Sequence, residues 1–427
     1  MLLLVVAATA VLLLVLGFEM MLVLGVPALM VKEFFYGNLP DPVIVQKIVG
    51  GINHSTLLAI PFFILATELM GDDQIARRLT QLADAFLRHF RGGSGYTAIG
   101  GSLAFGSVSG SAPATVAAMG KMVFPEMQKA GFKDKFSLGL IASAAETSLL
   151  LPPSITFIIY GWMTGTSVAK LFLAGIVPGF VLAFAFAVLV WWEARKNGVS
   201  RGEKASWSER LQSISRAGWA LGMPLIILGG IYTGYFTPTE AAAASVVYAI
   251  FVESVIFRTL TLKKLFAITE RAALSTAIIF ILLALGGLLS YFVTLAQVPQ
   301  AILAFINHID AGPIVFLIVI NVIFLIFGMF VDPNSALLIL VPPLYPVAMA
   351  LGIDPVHLGV IVTLNITIGM ITPPFGLDLF VAASTLSRPV MLIISGIGPF
   401  IVANIATLLV ITYIPTVSTF LPNLIMN

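Results

Sequence analysis

Two pairs of adjacent prolines interrupt long apolar stretches and are the first candidates for a functional site. The Pro152-Pro153 pair lies in an apolar run from about 138 to 160, and the Pro373-Pro374 pair in one from about 358 to 383. A proline in a helix interior removes a backbone N–H and clashes with the preceding turn, at a cost of about 3 kcal/mol. Two in succession therefore predict an unwound helix, and its free carbonyl oxygens are potential ligands for a small cation.

Each proline pair is preceded by a short polar segment that also interrupts apolar sequence. The first segment, Gly106 to Thr115, is dense in Gly and Ser, and its flanking apolar pieces are too short to span a bilayer comfortably. The second, Gly328 to Ser335, contains Asp332, an acidic residue within an apolar stretch. Both segments predict the tips of re-entrant hairpins. Asp332 is a functional candidate by default, although Asp is also a good N-cap for the helix that follows it.

These four segments supply hard oxygen ligands, which favour Na⁺ over a transition metal. The first polar segment and its proline pair contribute the hydroxyls of Ser109, Ser111 and Ser154. The second set contributes oxygens from Asp332, Asn334 and Thr372. Partial charges at half-helix termini allow a cation and an anion to be held side by side. Glu146 also lies in an apolar run, and structural pairing and substrate contact both remain open for it.

The two sets of segments belong to a sequence repeat with an offset of about 220 residues. Phe105-Gly106 aligns with Phe327-Gly328, and the two proline pairs align with each other. Between the first polar segment and the first proline pair lie four lysines, whereas the matching stretch 342–358 has no Lys or Arg. Because cytoplasmic loops collect Lys and Arg, equivalent loops lie on opposite sides of the membrane. The repeat is therefore predicted to be inverted, the arrangement typical of secondary transporters.

Composition limits the possible functions further. Of the 427 residues, 59% are hydrophobic and 10% are charged, whereas soluble domains carry about 25% charged residues. The chain has no cysteine, its four histidines share no ligand spacing, and it contains no nucleotide-binding motif. These features predict an all-α polytopic membrane protein that is a transporter rather than an enzyme, with no nucleic-acid partner. Channels and intramembrane enzymes can also cross the membrane several times, but they need not show such paired breaks.

The order of the segments predicts two repeats with matching parts. Each repeat is expected to contain scaffold helices, an amphipathic arm in the membrane interface, a hairpin and a proline-broken helix. The first 31 residues are either one long tilted helix or two short helices that meet near Gly17. The predicted boundaries are 1–192 for the first repeat (arm 72–93, hairpin 94–122, broken helix 136–164), 193–217 for a cytoplasmic linker, and 218–427 for the second repeat (arm 297–310, hairpin 313–348, broken helix 357–384).

The polar segments and proline pairs resemble those of one family. The runs 105–120, 151–155 and 372–376 are similar to the large membrane subunit of tripartite ATP-independent periplasmic (TRAP) transporters, as are 57–66 and 352–355. The resemblance covers essentially the whole chain. It implies an elevator-type fold of the ion-transporter superfamily kind, in a multi-pass protein of the bacterial inner membrane. It also implies Na⁺-driven import of an organic acid, a small four-helix membrane subunit and a periplasmic substrate-binding protein.

The resemblance also assigns residues to two Na⁺ sites and a substrate site. The polar run that begins at Glu146 departs from the Gly-rich sequence expected there. This departure favours sialic acid over C4-dicarboxylates as the substrate. The alternative is a self-sufficient ion-coupled anion transporter or exchanger that works without a binding protein. In either case membrane lipid surrounds the protein. The implied residues are Gly106, Ser109, Ser111, Pro152 and Ser154 for the first Na⁺, Gly328, Asp332, Asn334, Thr372 and Gly376 for the second, and Ser111, Ser154, Asp332 and Pro374 for substrate, with Glu146 as a further candidate.

Overall fold

A computed structural model of the protein describes residues 2–71 and 73–426. Position 72, where the first arm is expected to begin, lies outside the described residues, as do positions 1 and 427. The described chain is built from α-helices, and the β-structure found in it is one isolated bridge between Arg91 and Arg201.

The first half consists of eleven α-helices. Its N-terminal apolar run forms two helices rather than one, because the chain turns at Gly17 in the left-handed conformation (φ 76°). The helices are α1 (Leu2–Val15), α2 (Met20–Phe35), α3 (Asp41–Gly50), α4 (Ala59–Met70), α5 (Asp73–Leu87), α6 (Gly93–Ser109), α7 (Ala112–Ala130), α8 (Asp134–Ala144), α9 (Thr147–Leu150), α10 (Ile155–Thr164) and α11 (Val168–Lys196).

The second half repeats the order of parts. Each half contains the same four parts in the same order. These are an arm (α5 or α15), a two-helix hairpin (α6–α7 or α16–α17), an interrupted helix (α8–α10 or α18–α19) and a long helix (α11 or α20). The helices are α12 (Trp207–Tyr232), α13 (Pro238–Phe251), α14 (Leu262–Leu295), α15 (Val298–His308), α16 (Pro313–Phe330), α17 (Pro333–Ala350), α18 (Pro355–Gly369), α19 (Leu377–Leu386), α20 (Val390–Tyr413) and α21 (Thr416–Ile425).

Several helices have the length and apolar character that a bilayer crossing requires. Within the described residues, seven single helices qualify, and up to nine spans result if two bent pairs are counted as one span each. One bent pair joins α3 to the segment Ser55–Met70 at 53°, and the other joins Asp134–Leu150 to α10 at 42°. The second bend is at the first proline pair, as its sequence predicts. The fold is thus a polytopic helical bundle.

The helices pack in two groups. Helices α2, α3, α4, α12, α13 and α14 contact one another, and the hairpins and broken helices contact one another and the long helices α11 and α20. The second group interleaves the two halves of the chain, since α7 packs on α19 and α8 packs on α20. Arm α5 lies between the groups, against α6 on one side and α12 on the other.

Helices α8 and α20 approach each other closely at two glycines. A Cβ atom on Gly139 would lie 2.8 Å from the carbonyl oxygen of Gly396, and one on Gly396 would collide with the carbonyl oxygen of Lys135. Small residues at such crossings let two helix backbones touch. This contact fastens the first broken helix to the long helix of the other half.

Gly396→Ala is expected to lower the thermal stability of the protein, because the added methyl group forces α8 and α20 apart. Overpacking of this kind costs about 1–3 kcal/mol. Gly398→Ala is the matched control on the same helix, since no atom lies within 4 Å of its added Cβ. Alanine also stabilises an exposed helix position by about 0.5–1 kcal/mol relative to glycine. Melting of the detergent-solubilised variants should therefore shift in opposite directions, and equal shifts would contradict the packing.

Candidate functional site

The tip of the first hairpin is a tight turn lined by oxygen atoms. Helix α6 ends at Gly110, which is left-handed (φ 56°), and Ser111 begins α7 by accepting a hydrogen bond from the N–H of Ala114 at 3.4 Å. The hydroxyls of Ser109 and Thr115 are 3.1 Å apart, and the Thr115 hydroxyl donates to the carbonyl oxygen of Ser111 at 2.8 Å. Three oxygens thus converge on one turn, two of which belong to predicted Na⁺ ligands.

This tip packs directly on the first proline break. A Cβ on Gly110 would collide with the carbonyl oxygen of Pro153, and a Cβ on Gly106 would lie 2.7 Å from the Cβ of Ser148. Ser154, just past the break, is fully buried and caps α10 by accepting from the N–H of Phe157 at 3.5 Å. The structure therefore brings together the residues that the sequence assigns to the first ion site.

The tip of the second hairpin uses its acidic residue as a helix cap. Oδ1 of Asp332 accepts hydrogen bonds from the backbone N–H groups of Asn334 and Ser335, at 3.1 and 3.2 Å. Asp332 and Asn334 are partly exposed, whereas Ser335 is fully buried and its hydroxyl has no hydrogen-bond partner. Ser335 is an oxygen that the sequence analysis did not select, although it lies within the polar segment.

The second tip packs on the second broken helix in the same way. A Cβ on Gly328 would lie 2.9 Å from the carbonyl oxygen of Ile366 and 3.1 Å from the Cα of Gly369. Thr372, at the break, donates its hydroxyl hydrogen bond to the carbonyl oxygen of Ile368 at 2.7 Å, and its own carbonyl accepts from the N–H of Gly376 at 3.2 Å. The second group of predicted ion ligands is therefore also assembled around a hairpin tip and a break.

The two assemblies meet in the middle of the molecule. Ala112 at the first tip, Leu149 before the first break and Met370 before the second form one small buried apolar cluster. On the other side, the rings of Phe330 and Phe375 lie 5.5 Å apart and connect the second tip to the second proline pair. Pro374 is exposed beside Phe375. The predicted substrate residues Ser111, Ser154, Asp332 and Pro374 therefore belong to elements that surround one central region.

The polar atoms of this region are hydroxyl and carbonyl oxygens, together with the carboxylate of Asp332 at the second tip. Among the described residues, no group of three or more His, Cys, Asp or Glu side chains is arranged to hold a metal ion. Unwound backbone carbonyls and helix ends hold Na⁺ in other secondary transporters. The oxygen donors at both tips are of a kind that could hold a small cation such as Na⁺.

A polar pocket of about 440 Å³ opens beside the first tip. Ser109 and Ser111 line one wall, and the opposite wall comes from α4 and from the N-terminal part of α14. That wall carries Lys264 and Arg271, and Nε of Arg271 lies 3.3 Å from a carboxylate oxygen of Glu68. No sequence pattern singles out these basic residues as site residues, because the positive-inside rule already accounts for them.

Glu146 lies in the first broken helix, between α8 and α9, and is fully buried. Asp378, which follows the second break, is also fully buried and interacts electrostatically with Glu146. The sequence analysis selected Glu146 but not Asp378, although both show the same signal, an acidic residue in an apolar run. The structure places the two carboxylates together from opposite halves of the chain.

Gly110→Ala is expected to destabilise the protein more than Gly165→Ala. Both glycines are left-handed, so alanine costs about 1–2 kcal/mol at each. Only the methyl group at 110 also meets the Pro153 carbonyl, whereas the one at 165 has open space. Thermal melting in detergent measures the difference, and equal melting temperatures would show that the tip does not rest on the break.

The chain is similar in sequence to proteins of one known family. The family description "Tripartite ATP-independent periplasmic transporter, DctM component" matches residues 7–417. The chain is 42% identical over 418 residues to the ectoine TRAP transporter large permease of Halomonas elongata, covering 98% of each chain. It is 39% identical to the C4-dicarboxylate large permease of Pseudomonas aeruginosa and 37% identical to the sialic acid large permease of Vibrio cholerae, covering 90% of each chain in both cases.

A solved structure supports the fold. The YdaH transporter of Alcanivorax borkumensis has a TM-score of 0.61 to this chain, covers 86% of both chains and is 14% identical in sequence. At that identity the likeness concerns the fold alone. The relatives and the apolar helices together indicate a multi-pass protein of the bacterial inner membrane. The paired tips and breaks, and a family match over nearly the full length, lead to one conclusion: this chain is a member of the DctM family of large permease subunits of TRAP transporters.

Proposed function

We propose that this protein imports a carboxylate-bearing organic acid together with Na⁺ and receives the substrate from a periplasmic binding protein. The observation that carries the proposal is the pocket beside the first tip. Its tip wall offers the Ser109 and Ser111 oxygens for a cation, and its wall from α4 and α14 carries Lys264, Arg271 and Glu68, which leaves one net positive charge for a carboxylate. A cation and an organic anion fit this pocket side by side.

The relatives favour the same chemical class of substrate. Those described above are named for ectoine, C4-dicarboxylates and sialic acid. All three kinds of compound carry a carboxylate group, although ectoine also carries a positive charge. We therefore propose the carboxylate as the common recognised feature, and ectoine, sialic acid and a C4-dicarboxylate as the compounds to test.

The packing supports alternating access by movement of the hairpins against the scaffold. A Cβ on Gly286 of α14 would lie 2.7 Å from Cδ2 of Leu338 on α17, so the second hairpin is closely packed on the scaffold. The first tip instead borders the pocket that α14 shares with α4. Because the basic N-terminal part of α14 is predicted to be cytoplasmic, this arrangement corresponds to an inward-facing state. We propose an elevator movement that closes this pocket and opens its equivalent at the second hairpin.

The partner subunits are inferred from the family description and not from any contact within this chain. A small four-helix membrane subunit and a soluble binding protein are proposed because TRAP transporters are tripartite by description. A self-sufficient exchanger of the same fold is the competing proposal. Proteoliposomes separate the two: if this chain alone accumulates substrate on a Na⁺ gradient, the partners are not required. If uptake follows a proton gradient and ignores Na⁺, the proposed coupling ion is wrong.

Asp332→Asn is expected to weaken Na⁺-driven accumulation, with at least a tenfold higher half-saturating Na⁺ concentration, which corresponds to about 1.4 kcal/mol. Asparagine caps helices as well as aspartate does, so the variant removes the charge and retains the cap. Asp354→Asn is the matched control, because Asp354 caps α18 through Val356 and His357 in the same way. Uptake with equal Na⁺ dependence in the two variants would remove Asp332 from the ion site.

Arg271→Gln is expected to raise the substrate concentration for half-maximal uptake about tenfold or more. Loss of a charge-assisted contact with a carboxylate costs about 1.5–3 kcal/mol. Lys263→Gln is the control on the same helix, since Lys263 is exposed and does not line the pocket. The Na⁺ dependence of both variants should match that of the unmodified protein. An unchanged substrate affinity in Arg271→Gln would place the carboxylate elsewhere.

A further inference from the structure

Two buried carboxylates lie together without a visible counter-charge. Glu146 and Asp378 are both 0% exposed, and none of their four carboxylate oxygens has a hydrogen-bond partner. Asp378 is within electrostatic range of Glu146, and the amide of Asn404 is near enough to interact with the Glu146 carboxylate, although not in the geometry of a full hydrogen bond. Burial of a carboxylate is strongly unfavourable unless it is paired with a positive charge or bound to a cation. The pair therefore requires a cation or a proton.

A third side chain is aimed at the same place. Asn404 of α20 is 0% exposed, lies beside Glu146, and leaves both its amide oxygen and its amide nitrogen without a hydrogen bond of acceptable geometry. A buried amide without partners is as unusual as a buried acid without partners. The hydroxyl of Ser143, three residues before Glu146 and hence on the same helix face, is also buried and unpaired. Four polar side chains thus have unsatisfied oxygens in one part of the core.

The position of the cluster follows from the close contact between α8 and α20. Gly139 and Gly396 bring these helices together. Glu146 follows Gly139 in the sequence by about two helical turns, and Asn404 follows Gly396 by the same length. Asp378 reaches the cluster from α19, which contacts both α8 and α20. Elements from both halves of the molecule therefore contribute. The two hairpin tips reach their breaks through other residues, Gly110 on Pro153 and Gly328 on Ile366.

We propose that Glu146, Asp378 and Asn404 bind one Na⁺ at a buried site that shares no side chain with the two hairpin tips. Carboxylate and amide oxygens are hard ligands of the kind that alkali cations take. Three side chains offer at most five oxygens, fewer than the six to eight that Ca²⁺ takes, and Mg²⁺ retains several waters for which a buried cluster of this kind is unsuited. The bound ion balances one of the two negative charges, a proton on the other carboxyl group neutralises the second, and the ion holds the first broken helix to α19 and α20.

The site is tested by counting bound ions. Equilibrium binding of radioactive ²²Na⁺ to the full-length protein in lipid nanodiscs is compared with the double variant Glu146→Gln/Asp378→Asn, whose amides need no counter-ion. The double variant should bind one Na⁺ fewer per chain. Glu253→Gln is the matched control, because Glu253 is also buried but accepts a hydrogen bond from the Thr259 hydroxyl. It should bind the same number of ions as the unmodified protein.

A second variant keeps the test independent of folding defects in the double variant. Asn404→Leu removes one oxygen at nearly constant volume and should weaken binding of this one ion at least tenfold while leaving the others unchanged. An unaltered ion count and affinity in both variants would overturn the proposal. So would stabilisation of the unmodified protein by acid in place of Na⁺, which would identify a shared proton, or stabilisation by Ca²⁺ at low Na⁺.

The outcome is separable from that of the coupling ions at the tips. Asp332→Asn is expected to alter Na⁺ binding at the second tip and to leave the buried ion in place. Loss of one ion in Glu146→Gln/Asp378→Asn but not in Asp332→Asn would support the buried site and reject the tip assignment. The reverse result would reject the buried site and support the tip.

Discussion

Backbone that leaves the helical conformation inside a membrane must find its hydrogen bonds and contacts within the protein, and this constraint shapes the whole molecule. Each proline pair frees carbonyl groups at a depth where lipid cannot satisfy them. The hairpin tips meet this need, since Gly110 lies against Pro153 and Gly328 lies against the helix turn before Thr372. Glycine is required at both tips because any side chain would occupy the space of the broken helix.

The same contacts assemble the groups to which we assign the proposed ions and the proposed anion. A tip seated on a break brings together hydroxyls, carbonyls and helix termini, all of which carry partial charge. The two seated tips share the apolar cluster of Ala112, Leu149 and Met370. Basic side chains of the scaffold face the first tip across a pocket, so a carboxylate has a natural position next to the proposed cation.

The buried acids add a second kind of constraint. A packed core normally satisfies its polar groups, and Glu146, Asp378 and Asn404 are exceptions that lie together. Their elements are also those that join the first half to the second, through α8, α19 and α20. The proposed Na⁺ at this position would make the contact between the two halves, and hence the stability of the protein, depend on Na⁺ concentration.

The sequence by itself determined the helices and the two breaks, because each depends on residues that are near one another in the chain. It also determined the repeat and the family, because both are recognised from the order of residues and need no knowledge of contacts. It also selected most residues around each tip, since a tip and its break are less than 50 residues apart in each half. The sequence offered a cap as one possible role of Asp332, and the structure showed that Asp332 does cap α17. Only the tertiary structure decided that Arg271 and Ser111 line one pocket, and that Asp378 and Asn404 approach Glu146. These contacts join helices more than 150 residues apart or use one side chain in a particular rotamer. Lateral packing between helices depends on the fit of many side chains at once, and no local pattern encodes it.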